Sequence, residues 1–110
     1  MKLAVHERIS LLNLLPQQAN YVGVMALRKA KEIISFNEEE REYYKLHIND
    51  AGNWEWDGAR ASKRVADLPI EQYIVETVRK KLAEMDGSGT LTDQYISLYE
   101  KFIINYRAIE

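Results

Sequence analysis

Two amphipathic stretches joined by a glycine-containing turn fill residues 68–106, and they restrict the fold more than any other feature of the chain. In the first stretch, apolar residues recur every three or four positions, which places them on one helical face: Ile70, Ile74, Val78, Leu82 and Met85. Pro69 suits the first helical position, and Gly87 is the expected left-handed residue after the last turn. The short connection over residues 86–89 predicts that the next helix returns antiparallel to the first.

The second helix of this pair is rich in apolar residues. Thr92 is a suitable N-cap, because its hydroxyl can accept hydrogen bonds from the exposed N–H groups of the first turn. Two neighbouring apolar rows follow: Tyr95, Tyr99, Phe102, Tyr106 and Ile109, then Ile96, Leu98 and Ile103. A helix that is apolar over more than half its girth is usually buried on several sides. The sequence therefore predicts either a central helix of the fold or an interface through which the chain forms a homo-oligomer.

Three more helices are predicted in the N-terminal part of the chain. The first spans residues 3–15 and ends at Pro16, because proline pushes the preceding residue out of helical geometry. The second spans residues 21–35, with Asn20 as its N-cap and a narrow inner stripe of small and apolar residues: Gly23, Leu27, Ala30 and Ile34. A short third helix follows Asn37 and reaches about residue 43, and it has the spacing of a capping box.

A β-hairpin is predicted between the third and fourth helices, because the apolar period changes to two after residue 44. Leu46 and Ile48 form one row, and Trp54 and Trp56 share a face beyond the turn-rich residues 49–53. Residues 64–67 are a candidate third strand of the same sheet, and residues 57–62 are predicted to be loop. The predicted fold is thus α+β and mainly α: about five helices with one small sheet, ending in an antiparallel helical hairpin.

Composition limits the class of protein further. A chain of 110 residues is expected to form one domain, residues 1–110. It has no cysteine, so disulfides and thiolate metal sites are excluded. Its apolar runs are shorter than the roughly 18 residues of a membrane span, and the first residues lack a signal-peptide pattern. We therefore expect a cytoplasmic protein without membrane association.

Sequence motifs for catalysis or cofactor binding are missing. The only two histidines, His6 and His47, are far apart in the chain and do not predict a metal site. The segment Gly87-Ser88-Gly89 lacks the strand and the Lys-Ser/Thr ending of a phosphate-binding loop, and the serines have no nucleophile-elbow surroundings. We therefore predict a protein that is not an enzyme, with no catalytic residue, no metal and no cofactor.

The charge is unevenly distributed, although the net charge is only −2. Residues 37–57 hold seven acidic and two basic side chains, net −5, and include both tryptophans. Tryptophan is among the commonest anchors of protein interfaces. The leading hypothesis is an interaction protein that binds another protein through this acidic region or through the apolar C-terminal helix. The candidate binding residues in the acidic region are Trp54, Trp56, Glu38, Glu39 and Glu42. A second interpretation is that both tryptophans simply cover the helices.

The alternative function is DNA binding, because three helices followed by a hairpin is also the element order of a winged helix-turn-helix. The third helix would then be the recognition helix, but its glutamates would repel a phosphate backbone. DNA contact would instead depend on the basic residues that follow the hairpin: Arg60, Lys63 and Arg64. Nucleic acid is therefore the less favoured partner.

Several segments resemble small uncharacterised proteins encoded by tailed phages and prophages. The similar segments are Leu3-Ala4-Val5-His6-Glu7-Arg8, Leu11-Leu12-Asn13-Leu14-Leu15-Pro16, Ser35-Phe36-Asn37-Glu38-Glu39-Glu40, the region from Gly52-Asn53-Trp54 to Trp56, Leu91-Thr92, and Ser97-Leu98-Tyr99-Glu100-Lys101-Phe102. Ala4 departs from the capping Ser or Thr that such proteins carry at this point. The resemblance implies a phage or prophage accessory protein that acts on a host or phage protein, an anti-defence factor included. It transfers no functional residue.

Overall fold

The computed structural model describes residues 1–106, which form six helices and two small antiparallel sheets. The helices are α1 Val5–Leu14, α2 Tyr21–Ile34, α3 Glu38–Tyr44, α4 Gly58–Lys63, α5 Gln72–Ser88 and α6 Ile96–Tyr99. A 3₁₀ turn, Asp93–Tyr95, precedes α6, and a π-helical turn, Glu100–Ile104, continues it. We call these three segments together the C-terminal helix. The predicted α+β, mainly helical fold and its closing antiparallel helical hairpin are confirmed.

The boundaries of the helical hairpin differ from the prediction. Helix α5 begins at Gln72 rather than at Pro69, and it continues through Gly87 to Ser88. Gly89 is the left-handed residue, with φ of 72°, and its N–H donates to the carbonyl of Asp86. The Thr92 side chain makes no capping hydrogen bond. In the predicted apolar stripe of the C-terminal helix, Ile109 lies outside the described residues.

The two sheets share no strand. The hairpin consists of β2 His47–Ile48 and β3 Trp54–Glu55, between α3 and α4 as predicted. The candidate third strand does form a strand, β4 Ala66–Asp67. It pairs with β1 Lys2–Leu3 at the N-terminus and not with the hairpin. The first predicted helix is therefore too long at its start, since Leu3 belongs to β1. The prediction of loop over residues 57–62 is also wrong: Asp57 caps α4 by accepting hydrogen bonds from the N–H groups of Ala59 and Arg60.

A main core lies between α1, α2, α5 and the C-terminal helix. Its fully buried side chains are mostly leucine, isoleucine and valine, with one phenylalanine: Leu3, Leu11, Leu14, Leu15, Leu27, Ala30, Ile34, Ile74, Val75, Val78, Leu82, Leu98 and Phe102. The C-terminal helix is less enclosed than expected from its composition. Only Leu98 and Phe102 are fully buried in it, while Ile96 and Ile104 are exposed.

A second, smaller core lies between α1 and the segment made of α3, the hairpin and α4. Val5, Tyr44 and Leu46 are buried in it, and five partly buried side chains pack around them: Ile9, Phe36, Tyr43, Trp56 and Ala61. Helix α1 contributes to both cores, because Leu11 and Leu14 belong to the main core and Val5 to the second. The most enclosed helix is therefore α1, near the N-terminus.

A buried arginine connects the elements on either side of the second core. Arg8 of α1 is only 1% exposed. Its guanidinium donates to the carbonyl oxygens of Ile34 (2.9 Å) and Ser35 (2.7 Å) at the end of α2, and to both carboxylate oxygens of Glu40 in α3. It also stacks over the Phe36 ring, 4.0 Å from the centroid. This one cation thus satisfies the last carbonyls of α2 and fixes α3 against α1.

A second buried charge holds the C-terminal helix. Glu7 is 3% exposed, and its Oε1 accepts hydrogen bonds from the Ala4 N–H (2.9 Å) and from the Lys101 ammonium (2.6 Å). Lys101 also donates to the carbonyl of Lys2 in β1. Burial by itself raises the pKa of Glu7, but these two donors outweigh it and lower the pKa below its ordinary value. The pair therefore links the N-terminus to the C-terminal helix.

Replacing the buried arginine is expected to destabilise the protein strongly. Arg8→Ala leaves the Glu40 carboxylate and two carbonyl oxygens without their donor, which should lower the free energy of unfolding by about 3–5 kcal/mol. Urea denaturation followed by circular dichroism measures the change. The matched control is Arg41→Ala at an exposed position of α3, expected to change stability by about 0.5 kcal/mol or less. A loss below about 1 kcal/mol for Arg8→Ala would contradict this role.

Acid should weaken the same link. The hydrogen bonds from Arg8 lower the pKa of Glu40 below its ordinary 4.5. Since the folded-state pKa is the lower one, the contribution of Glu40 to stability is present above the unfolded-state pKa and is lost as pH falls through the folded-state value. We expect the fall in the free energy of unfolding between pH 6 and pH 3 to be smaller in Glu40→Gln than in the parent. Parallel pH profiles for the two proteins would argue against the link.

Candidate protein-binding surface on the hairpin

The hairpin turn is held by the side chain of Asn49. Its Oδ1 accepts hydrogen bonds from the N–H groups of Ala51 and Asn53, both at 3.0 Å, and its amide donates to the Glu55 carboxylate at 2.6 Å. Gly52 takes a left-handed conformation with φ of 82°, which glycine adopts at little cost. The polar turn residues therefore form a tight and internally bonded tip.

One face of the hairpin is apolar along its whole length. Ile48 and Trp54 are directly paired across the strands, so their side chains lie on the same face. Leu46 and Trp56 lie two residues further along each strand, at the base of the same face. At the base, Leu46 is buried and Trp56 packs partly buried against the second core. At the tip, Trp54 is 38% exposed and Ile48 is 58% exposed. The apolar face thus continues from the core into solvent.

The exposed tryptophan borders α1 and α3. A small cavity of about 100 Å³ is lined by Trp54 together with Ile9 of α1, Phe36 and Arg41, among others. The indole ring therefore borders this cavity on one side and is open to solvent on the other. We call the exposed pair Ile48 and Trp54 the hairpin patch.

The predicted acidic residues fall on different sides of α3. Glu38 and Glu42 are four positions apart and exposed, so they lie on one outward face. Arg41 neighbours Glu38 on the helix surface and lies on the side that faces Trp54. Glu39 lines a separate cavity that also contacts Arg64. The structure therefore places Glu38 and Glu42 on the same side of α3 as Arg41, and separates Glu39 from the tryptophans.

The basic residues that follow the hairpin surround a tyrosine of α3. Arg60 donates to the carbonyl of Tyr43 at 3.0 Å, and the guanidinium groups of Arg60 and Arg64 lie 5.6 and 5.2 Å from the centroid of the Tyr43 ring. The Tyr44 hydroxyl donates to the carbonyl of Arg64, and burial raises the pKa of Tyr44. Lys63 is exposed. Two of the three cations therefore attach α4 to α3.

A second exposed apolar surface lies on the first two turns of α2. Its members are Tyr21, Val22, Val24 and Met25, which we call the α2 patch. Sequence reasoning identified the inner stripe of this helix but not the patch. The available signal was composition: four of the first five helical residues are large and apolar in addition to the buried stripe.

Other kinds of site are not found in the part of the chain that the structure describes. Within residues 1–106, no three His, Cys, Asp or Glu side chains are placed to hold a metal ion. None of the helices there is both long and apolar enough to span a bilayer. No family model, curated protein or solved structure matches this chain.

The two tryptophans should respond differently to truncation. Trp56→Ala removes side-chain contacts from the second core and should lower the free energy of unfolding by roughly 2 kcal/mol. Trp54→Ala removes a ring that is 38% exposed and lies outside the second core, so it should cost less, about 1 kcal/mol or below. Chemical denaturation of the two single variants measures both values. Equal losses would show that the rings are equally buried.

Proposed function

We propose that this protein is a non-enzymatic phage or prophage accessory protein that acts by binding another protein through its hairpin patch. The observation that carries the proposal is the exposed pair of Ile48 and Trp54 at the end of an otherwise buried apolar face. Large apolar side chains that are exposed on a rigid element are typical anchors of protein interfaces. The turn hydrogen bonds of Asn49 fix the pair before binding, which lowers the entropic cost of association.

The charges near the hairpin patch favour a partner with a basic surface. Glu38 and Glu42 face outward from α3, and Asp50 is exposed in the turn. Carboxylates at the rim of an interface steer association with positively charged surfaces. Arg41, which lies between Trp54 and the glutamates, is the exception and would pair with a carboxylate or carbonyl of the partner. A host or phage protein with a mixed but mainly basic surface fits this pattern best.

The biological setting rests on the resemblance to small proteins of tailed phages and prophages. That resemblance supports a role inside the bacterial cytoplasm on a host or phage protein, and host modulation and anti-defence activity both belong to this class. DNA binding through Arg60, Lys63 and Arg64 is less well supported. Two of these cations are engaged with α3, and the outward face of α3 is acidic, which would repel phosphate.

A pull-down from bacterial lysate tests the proposal. We expect the tagged parent to retain one stoichiometric protein after nuclease treatment. The double variant Ile48→Ser with Trp54→Ser should lose it, because both interface anchors are gone. The matched control is Ile104→Ser, an exposed isoleucine of the C-terminal helix; it should retain the partner.

Three results would argue against the proposed surface. Equal retention by the double variant would place the interface elsewhere, and loss by Ile104→Ser alone would move it to the C-terminal helix. Recovery of nucleic acid and associated proteins only, abolished by nuclease, would favour DNA binding. Circular dichroism of each variant establishes that the fold is retained.

A further inference from the structure

The α2 patch is the most exposed apolar surface among the described residues. Tyr21 and Val22 are 79% and 74% exposed, and Met25 is 44% exposed. Tyr73 of α5 is 49% exposed, and its hydroxyl lies 2.7 Å from where a Cβ would stand on Gly23, on the buried face of the same helix. The absence of a side chain at Gly23 therefore lets α5 approach α2 closely.

The α2 patch is bordered by positive charge. Arg28 and Lys31 follow it on α2, and within residues 1–106 neither takes part in an ion pair; Lys29 is paired with Glu71. Arg28 and Lys31 line a groove of about 440 Å³ whose apolar walls include Val24 and Leu27. Glu32, the one acidic residue of α2, lines the same groove and is four positions from Arg28.

The hairpin patch has the opposite charge. The exposed carboxylates of Glu38 and Glu42 in α3 and of Asp50 in the turn outnumber Arg41, the cation that lines the cavity beside Trp54. On α2 the exposed charges are Arg28, Lys29 and Lys31 against Glu32, and Lys29 is paired with Glu71. The chain thus presents two exposed apolar surfaces of complementary charge.

These two surfaces are at opposite ends of α2. The cavity beside Trp54 and the groove of Arg28 and Lys31 both reach Ser35, just after the helix, whereas the apolar residues of the α2 patch occupy the first turns. Helix α2 has 14 residues, which corresponds to about 21 Å along its axis. The hairpin patch and the α2 patch of one molecule are therefore too far apart to meet. The hairpin patch can contact the α2 patch of another molecule.

We propose that the protein associates with itself head to tail, with the hairpin patch of one copy packed on the α2 patch of the next. Trp54 and Ile48 cover Val22 and Met25, while Glu38 and Glu42 approach Arg28 and Lys31. Because the two contacting surfaces differ, the contact is heterologous, and it either closes into a ring or continues as a chain. Self-association goes beyond the proposed function and does not depend on it. An external partner and a second copy compete for the same tryptophan.

Charge reversal tests the proposal by sedimentation velocity over a range of protein concentrations. In low salt we expect the mass of the parent to rise with concentration and to fall when salt is added. One variant carries Glu38→Lys and Glu42→Lys, and the other carries Arg28→Glu and Lys31→Glu. Each alone should weaken self-association roughly tenfold or more, because like charges meet across the contact.

An equimolar mixture of the two reversed variants decides whether the contact is heterologous. Each contact between unlike variants again joins opposite charges, so the mixture should associate as the parent does. The control variant carries Lys80→Glu and Lys81→Glu on an exposed face of α5. It changes the net charge by the same amount as the variant with Arg28→Glu and Lys31→Glu, and it should associate normally.

The proposal is overturned if the parent stays monomeric at every concentration, if both reversed variants associate like the parent, or if their mixture stays monomeric. Should a reversed variant fail to fold, Val22→Ser with Met25→Ser replaces it and should also reduce association. The pull-down result remains separate, because the α2 variant keeps an intact hairpin patch and should still bind an external partner.

Discussion

The buried guanidinium of Arg8 is the interaction on which the arrangement of the other elements depends. A charge that is removed from water is costly unless every donor finds an acceptor. Each of the three guanidinium nitrogens of Arg8 donates at least one hydrogen bond, to carbonyl oxygens at the end of α2 or to the Glu40 carboxylate, and Phe36 covers the guanidinium plane. A lysine has neither the planar fork nor the stacking surface needed for this set of contacts.

The consequence of this link is a fold with two cores on opposite sides of α1. The main core is built from long helices, and the smaller one is built from α3, the hairpin and α4. The small core is wide enough to bury the base of the hairpin but not its tip. Exposure of Ile48 and Trp54 is therefore a geometric result of how little apolar material the second core contains.

Several features with a local sequence signal were predicted correctly. The periodicity of α2 and α5, the Asn20 and Asn37 caps and the hairpin turn each depend on neighbouring residues, and the structure has all of them. Pairing of β1 with β4 was missed because it joins residues 63 and 65 positions apart in the chain. Burial of Glu7 and Arg8 was missed because charged residues are usually exposed. The spacing Val5, Arg8, Leu11 was the available signal, since it places Arg8 on a buried helical face.

The candidate site was only partly predictable. The shared face of the tryptophans follows from strand alternation, but their unequal burial depends on the size of the second core, which no local pattern encodes. Glu38, Glu39 and Glu42 lie within five residues of sequence, yet helical geometry places Glu39 on the side of α3 that is away from Arg41 and Trp54. The charge asymmetry between residues 1–36 and 37–57 was readable from the sequence, whereas its association with two separate apolar surfaces required the fold.

If the link between Arg8 and Glu40 holds α3 and the hairpin on α1, breaking it should loosen these elements and leave the helical body closed. Native-state hydrogen exchange of the parent and of Glu40→Ala measures this most directly, because exchange reports local opening free energies. The account predicts that amide protection falls across α3 and the hairpin in the variant while the amides of α5 keep theirs. Equal loss of protection in α3 and α5, or no loss in α3, would contradict it.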